Sequence, residues 1–126
     1  MNVAATIQQA YATAQNYPDL AQKLAQAGVQ SYTVDVSSSI ILYQLAEGET
    51  ELHSQSISPR VIAEAFDQEL TIKAIRDNQQ GKTDYPQFME DMATAGVRFY
   101  CAILTGVNKR VVYVGIGGLY EELIPG

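Results

Sequence analysis

The stretch Tyr17-Pro18-Asp19-Leu20-Ala21-Gln22-Lys23-Leu24-Ala25-Gln26-Ala27-Gly28-Val29-Gln30-Ser31-Tyr32 returns sixty-eight positions later as Tyr85-Pro86-Gln87-Phe88-Met89-Glu90-Asp91-Met92-Ala93-Thr94-Ala95-Gly96-Val97-Arg98-Phe99-Tyr100. Seven of the sixteen positions are identical: Tyr17/Tyr85, Pro18/Pro86, Ala25/Ala93, Ala27/Ala95, Gly28/Gly96, Val29/Val97 and Tyr32/Tyr100. Unrelated segments of average composition would share about one. The recurrence reads as a tandem duplication of one structural unit, with repeats over residues 1–57 and 69–126 joined by residues 58–68.

Each copy opens with a helical stretch, Val3 to Ala14 and Leu70 to Gln80, and then reaches a helix start signal. Asn16 and Asp84 are favoured N-cap residues, and Gln87 stands at the capping-box position. The proline two places on suits a first turn that needs no donor. Apolar residues follow at helical spacing, Leu20-Ala21-Leu24 and Phe88-Met89-Met92, until Gly28 and Gly96 offer a left-handed C-terminal cap. That cap predicts contacts of Val29 with Leu24 and of Val97 with Met92. Beyond the glycines, alternation and β-branched or aromatic residues predict three strands per copy: Gln30 to Val36, Ile40 to Leu45 and Thr50 to Ser54, then Arg98 to Leu104, Arg110 to Gly115 and Leu119 to Ile124. With a first hairpin two residues longer in the second copy, Tyr43 aligns with Tyr113, Gly48 with Gly118 and Glu51 with Glu121. The expected fold is α+β: two helix-helix-three-stranded antiparallel meander units packed about a pseudo-twofold axis, since neither can cover its own apolar sheet face. Residues 58–68 have no counterpart. Ser58-Pro59 with Val61, Ile62, Ala65 and Phe66 suits a helix start, and Asp67 could equally cap a later one; helix is the expectation.

Of the 126 residues 47% are apolar and 17% charged, which fits one core and a single domain. No apolar run is long enough to span a bilayer, and the start lacks the basic and apolar regions of a signal peptide, so the chain reads as cytoplasmic. A net charge of −6 works against nucleic acid and anionic membranes as partners. The lone Cys101 makes no internal disulfide and offers no metal cluster; no metal or cofactor is expected.

The first strands differ between copies. Tyr32, Val34 and Val36 share one face and Ser31, Thr33 and Asp35 the other, whereas both faces of the second-copy strand are apolar: Tyr100, Ala102 and Leu104 on one, Phe99, Cys101 and Ile103 on the other. Either the 58–68 segment or a second protein chain must cover Phe99, Cys101 and Ile103, which makes these three the candidate interface, with a homodimer or another protein as the partner.

Candidate chemistry is sparse. His53, the single histidine, falls beside Glu49 and Glu51 on one strand face, an arrangement capable of acid-base work or metal ligation. Yet the aligned positions of the second copy are Leu119, Glu121 and Leu123, and a solvated strand face is the favoured reading. Cys101, inside an apolar strand, reads as a small hydrophobe rather than a nucleophile. Gly115-Ile116-Gly117-Gly118 has the look of a phosphate loop, but strand residues follow where a helix would be needed, so a hairpin turn is expected. The tyrosines are better placed for recognition, with a large apolar area and a polar tip. The repeated ones, Tyr32, Tyr100, Tyr43 and Tyr113, read first as core and inter-copy packing; as lining of a groove between copies, they would suit a small aromatic or polar ligand or a peptide.

The run Gln79-Gln80-Gly81-Lys82-Thr83-Asp84-Tyr85-Pro86-Gln87-Phe88, followed by Ala95-Gly96-Val97, resembles the YbcV-like family of small bacterial proteins of unknown function, some carried on prophages and labelled phage envelope proteins. The resemblance covers most of the chain and is strongest over the second copy. It implies a phage context and no mechanism, because the shared motif is capping and turn chemistry and brings no catalytic residue with it. Together these readings favour a non-enzymatic binding or interaction protein, with a small enzyme using a tyrosine-lined groove, or a phage structural or accessory protein, as the alternatives.

Overall fold

A computed structural model describes residues 3–54 and 57–125. The order of elements repeats: α1 (Val3–Thr13), α2 (Tyr17–Gln26), β1 (Val29–Asp35), β2 (Ile41–Leu45) and β3 (Thr50–His53), then α3 (Gln68–Gln79), α4 (Tyr85–Thr94), β4 (Val97–Ile103), β5 (Arg110–Gly115) and β6 (Gly118–Leu123). The caps form as the sequence predicts. Asn16 accepts a hydrogen bond from the Asp19 amide and Asp84 one from the Gln87 amide, each at 2.9 Å. The Gln87 side chain, however, turns forward to Asp91 instead of closing a capping box. Both helices end two residues before a glycine of positive φ, Gly28 at +99° and Gly96 at +81°. Leu24, Val29, Met92 and Val97 are all fully buried behind those caps.

The six strands make one antiparallel sheet in the order β3-β2-β1-β4-β5-β6. The halves therefore meet along β1 and β4, with Ser31 opposite Ile103, Thr33 opposite Cys101 and Asp35 opposite Phe99. Adding the repeat offset of 68 to Thr33 gives Cys101, its own partner; adding it to Ser31 gives Phe99 and to Asp35 gives Ile103, which are partners across the same axis. A local twofold thus passes through the Thr33–Cys101 pair. All four helices lie on one face, where Ile7, Ala21, Leu24, Ile75, Met89 and Met92 close over Tyr32, Val34, Tyr43, Tyr100, Ala102 and Tyr113. The opposite face carries the alternate residues of every strand.

Residues 57–67 contain no helix, contrary to expectation. Their backbone donors go elsewhere: Arg60 to the Ser37 carbonyl, Ala63 to Ala93, Phe66 to Ile116 and Asp67 to Ala95. Val61 is almost fully exposed, so the apolar residues do not form one helical stripe; Ile62 and Phe66 pack on the core, and Asp67 caps α3 by accepting from Leu70. This connector crosses the end of the sheet where β1 and β5 finish and β4 and β6 begin. Arg60 fastens it there, donating to the Val36 carbonyl and the Ser39 hydroxyl and pairing with Glu90 at 2.8 Å. It leaves Phe99 42% exposed, so the connector is not the cover for the Phe99, Cys101 and Ile103 face.

The glycine cluster is a seat for the connector. A β-carbon on Gly96 would stand 2.2 Å from the Ala65 carbonyl oxygen, one on Gly115 would stand 2.1 Å from the Gly96 carbonyl oxygen, and one on Gly118 would stand 2.9 Å from the Phe66 ring. Gly115 and Gly118 also close the expected hairpin around Ile116-Gly117. A second difference from expectation lies here. The β2–β3 connection sets Glu51 opposite Tyr43, but the tight β5–β6 turn sets Tyr120, not Glu121, opposite Tyr113. We predict that Gly28→Ala, with open space around it, loses about 1–2 kcal/mol from its left-handed backbone alone, while Gly96→Ala, which also meets backbone, loses more than about 3 kcal/mol; urea denaturation of the two variants measures the difference.

Candidate functional site

A row of tyrosines runs across the helix-covered face of the sheet. Strand pairing sets Tyr43 against Tyr32, Tyr100 against Tyr113 and Tyr113 against Tyr120. The ring centroids lie 5.8, 5.4 and 6.3 Å apart, within the range in which aromatic side chains attract. Phe88 of α4 meets Tyr100 edge to face at 6.1 Å.

Above this row the two helical pairs do not close completely. A cleft of about 830 Å³ opens between them, with Tyr32, Tyr100 and Tyr113 on its floor, Tyr11 and Tyr17 on the first-half wall and Arg76 and Tyr85 on the second. Such a volume is typical of small-molecule sites. Tyr43 lies outside it and lines a neighbouring cleft of about 300 Å³ with Ile7, Ile41, Glu51 and His53; Tyr11 and Tyr85 border both. The hydroxyls are partly paired with one another. Tyr17 and Tyr32 share a hydrogen bond of 2.5 Å, Tyr43 donates to Tyr11 at 3.1 Å, and Tyr100 interacts with the Tyr85 hydroxyl and lies 3.9 Å from the Met89 sulfur.

The second-half wall holds a charged cluster. Arg76 donates to Glu122 at 2.5 Å, Tyr120 donates to the same carboxylate oxygen at 3.1 Å, and the Gln79 amide lies 3.5 Å from the other. Partial burial pushes the Glu122 carboxyl up, but the hydrogen bonds from Arg76 and Tyr120 and the guanidinium charge outweigh it and hold the group below its usual range. It is therefore a carboxylate at neutral pH. Sequence reasoning missed Arg76, Tyr120 and Glu122 as a group, because no local pattern shows that α3 lies against β6.

Every tyrosine phenol is pushed up, with burial the leading cause, and Tyr17 reaches about 12. His53 is exposed at the end of β3, opposite Ile41, with half-buried Glu51 two residues before it. No group of three or more metal-ligating side chains occurs among the described residues. Cys101 is half-buried on the outer face between Thr33 and Val112. No helix among the described residues is long and apolar enough to cross a membrane.

Residues 5–116 match the family model described as Protein of unknown function (DUF1398). The chain belongs to that family. The match spans α1 through β5, so the DUF1398 region takes in both helical walls of the cleft and its tyrosine floor. No curated protein matches the chain significantly.

Because the folded phenols titrate above the unfolded value of 10, the native state holds protons that the unfolded state releases; stability is full below pH 10 and declines as pH rises, through about 12 for Tyr17. Phenolate absorbance should therefore lag behind that of free tyrosine and rise together with loss of the far-ultraviolet circular dichroism signal. Complete phenolate formation in a still-folded protein would contradict the burial of these groups.

Proposed function

We propose that this DUF1398 member is a non-enzymatic binding protein whose ligand occupies the cleft between its two halves, with Tyr32, Tyr100 and Tyr113 as contact residues and Tyr43 supporting them through Tyr11. The observation that carries this reading is the tyrosine-floored cleft itself, large enough for a small aromatic or polar molecule and built from both repeats. Neutral phenols both donate and accept hydrogen bonds, which suits recognition of a small polar or aromatic ligand. The internal repeat is read as a duplication, the two copies acting as one domain. The YbcV-like resemblance supports a bacterial, prophage-associated setting.

One observation favours a second interaction. The outer face of β4–β6 forms a three-by-three patch: Phe99, Val114 and Leu119; Cys101, Val112 and Glu121; Ile103, Arg110 and Leu123. Leu119 and Leu123 are each more than half exposed and Phe99 nearly so. The corresponding positions of β1 are Ser31, Thr33 and Asp35, so the fold does not require apolar residues there. Arg110 and Glu121 pair at 2.8 Å within the patch, and a twofold axis through it would set each against the opposite charge of a second copy. This self-complementarity makes a homodimer the occupant we favour.

Two experiments test these readings. In a nuclear magnetic resonance screen of small neutral aromatics, binders should shift the resonances of Tyr17, Tyr32 and Tyr100; binders confined to the outer face, or loss of a compound by turnover, would contradict the cleft reading. In size-exclusion chromatography with light scattering, the wild type should weigh twice the 13.8 kDa chain and a Phe99→Asp/Ile103→Lys variant once, with unchanged helicity; a wild type that stays monomeric at about the 100 μM scale would remove the dimer, since stable dimers associate well below that.

A further inference from the structure

The hydrogen bond between Tyr43 and Tyr11 in the first half has no counterpart in the second, and the difference leaves a phenol hydroxyl facing the cleft. In the first half Tyr43 donates to Tyr11 at 3.1 Å. The repeat offset of 68 carries Tyr43's neighbour Tyr11 to Gln79, and the same offset carries buried Ile7 to buried Ile75, which supports the correspondence. Gln79 does not serve Tyr113 as Tyr11 serves Tyr43. Its amide nitrogen lies toward Glu122, and its amide oxygen accepts from Arg76 at 3.2 Å. Tyr113 is only 6% exposed, its hydroxyl makes no hydrogen bond among the described residues, and it lines the cleft. No buried side-chain polar atom lacks a partner among the described residues, so the Tyr113 hydroxyl is the part of the residue that reaches the cleft, open to a ligand.

Beside it, Glu122 has unused capacity. One carboxylate oxygen takes both Arg76 and Tyr120, while the other has a single long contact to Gln79. A carboxylate accepts only, so whatever sits against that oxygen must donate. Arg76 and Glu122 neutralise each other, and the wall offers no net charge to an ionic ligand. The floor offers the aromatic rings of Tyr100 and Tyr113 and the wall that of Phe88.

We infer that the cleft selects planar, uncharged aromatic molecules bearing an N–H or O–H donor, and that this polar edge is held at the second-half end between the Tyr113 hydroxyl and the Glu122 carboxylate. The inference rests on the cleft being the binding site. It assigns Tyr113 and Glu122 as specificity-determining residues, with Arg76 positioning Glu122, and leaves the self-paired Tyr17–Tyr32 end to apolar contact.

Indole and benzofuran are near-isosteric and differ in the donor, so they make a direct test. Titrated by nuclear magnetic resonance into the wild type, indole should bind about tenfold tighter, the scale of one hydrogen bond that leaves no buried acceptor unpaired. Tyr113→Phe keeps the ring stack and should reduce that preference several-fold, with benzofuran affinity unchanged; Glu122→Gln should do the same while still accepting from Arg76. Equal affinities for the two probes, with shifts at Tyr32 and Tyr100, would overturn the donor selection and leave the cleft reading standing. Binding of neither probe would overturn both. A preference for indole that survives both substitutions would place the polar contact elsewhere and sink the assignment.

Discussion

Everything described above depends on the antiparallel pairing of Val29–Asp35 with Val97–Ile103. Each half alone would be two helices on a three-stranded meander, a small sheet with two open edges. Joining the two innermost strands removes one edge from each half and makes one six-stranded surface on which four helices can lie. Because equivalent residues face one another at Thr33 and Cys101, the joint also imposes a twofold relation on what stands above it. The helical pairs are set on either side of the seam, and the cleft is the space they leave over it. The same residues that hold the halves together, Tyr32 and Tyr100, are therefore the floor of the candidate site.

The connector then breaks the symmetry. The first-half glycines Gly28 and Gly48 have open space around them, whereas Gly96, Gly115 and Gly118 are pressed by Ala65 and Phe66. Packing across the sheet end lets one strand of chain, residues 57–67, tie β1, α4 and the β5–β6 turn together through Arg60 and four backbone hydrogen bonds. What resembles a phosphate-binding glycine loop in the sequence is thus explained by close approach of backbone and an aromatic ring.

Much of this was legible beforehand because caps, glycine stops and alternation are local signals. Asn16 and Asp84 fixed the starts of α2 and α4, Gly28 and Gly96 their ends, and the alternation in β1 and β4 sorted tyrosines inward and Phe99, Cys101 and Ile103 outward. Two things were not legible. The connector carries helix-compatible residues, but its conformation is set by carbonyls on distant elements, which no local pattern reveals. The β6 register depends on whether the hairpin turn holds two residues or more, and a slip of one reverses every side chain. Glu122 meets Arg76 and Gln79 only because α3 lies against β6, which no local pattern shows, while the tyrosine row, fixed by β1, β4 and β5, was already in view. Tyr11 and Tyr85, one inside α1 and one at the start of α4, could have been placed near the row only by knowing how the helices lie on the sheet.

The measurement that bears most directly on this account is a set of cross-strand nuclear Overhauser effects at the seam. The amides of Val36 and Leu104 reach the carbonyls of Arg98 and Gln30, so Ser31–Ile103, Thr33–Cys101 and Asp35–Phe99 are non-hydrogen-bonded pairs, whose α-carbons approach to about 4.5 Å. The account predicts strong Hα–Hα effects for all three pairs, each within one molecule in a mixed labelled and unlabelled sample. Their absence, or their appearance only between molecules, would mean that the two halves do not share a sheet and that no cleft stands between them.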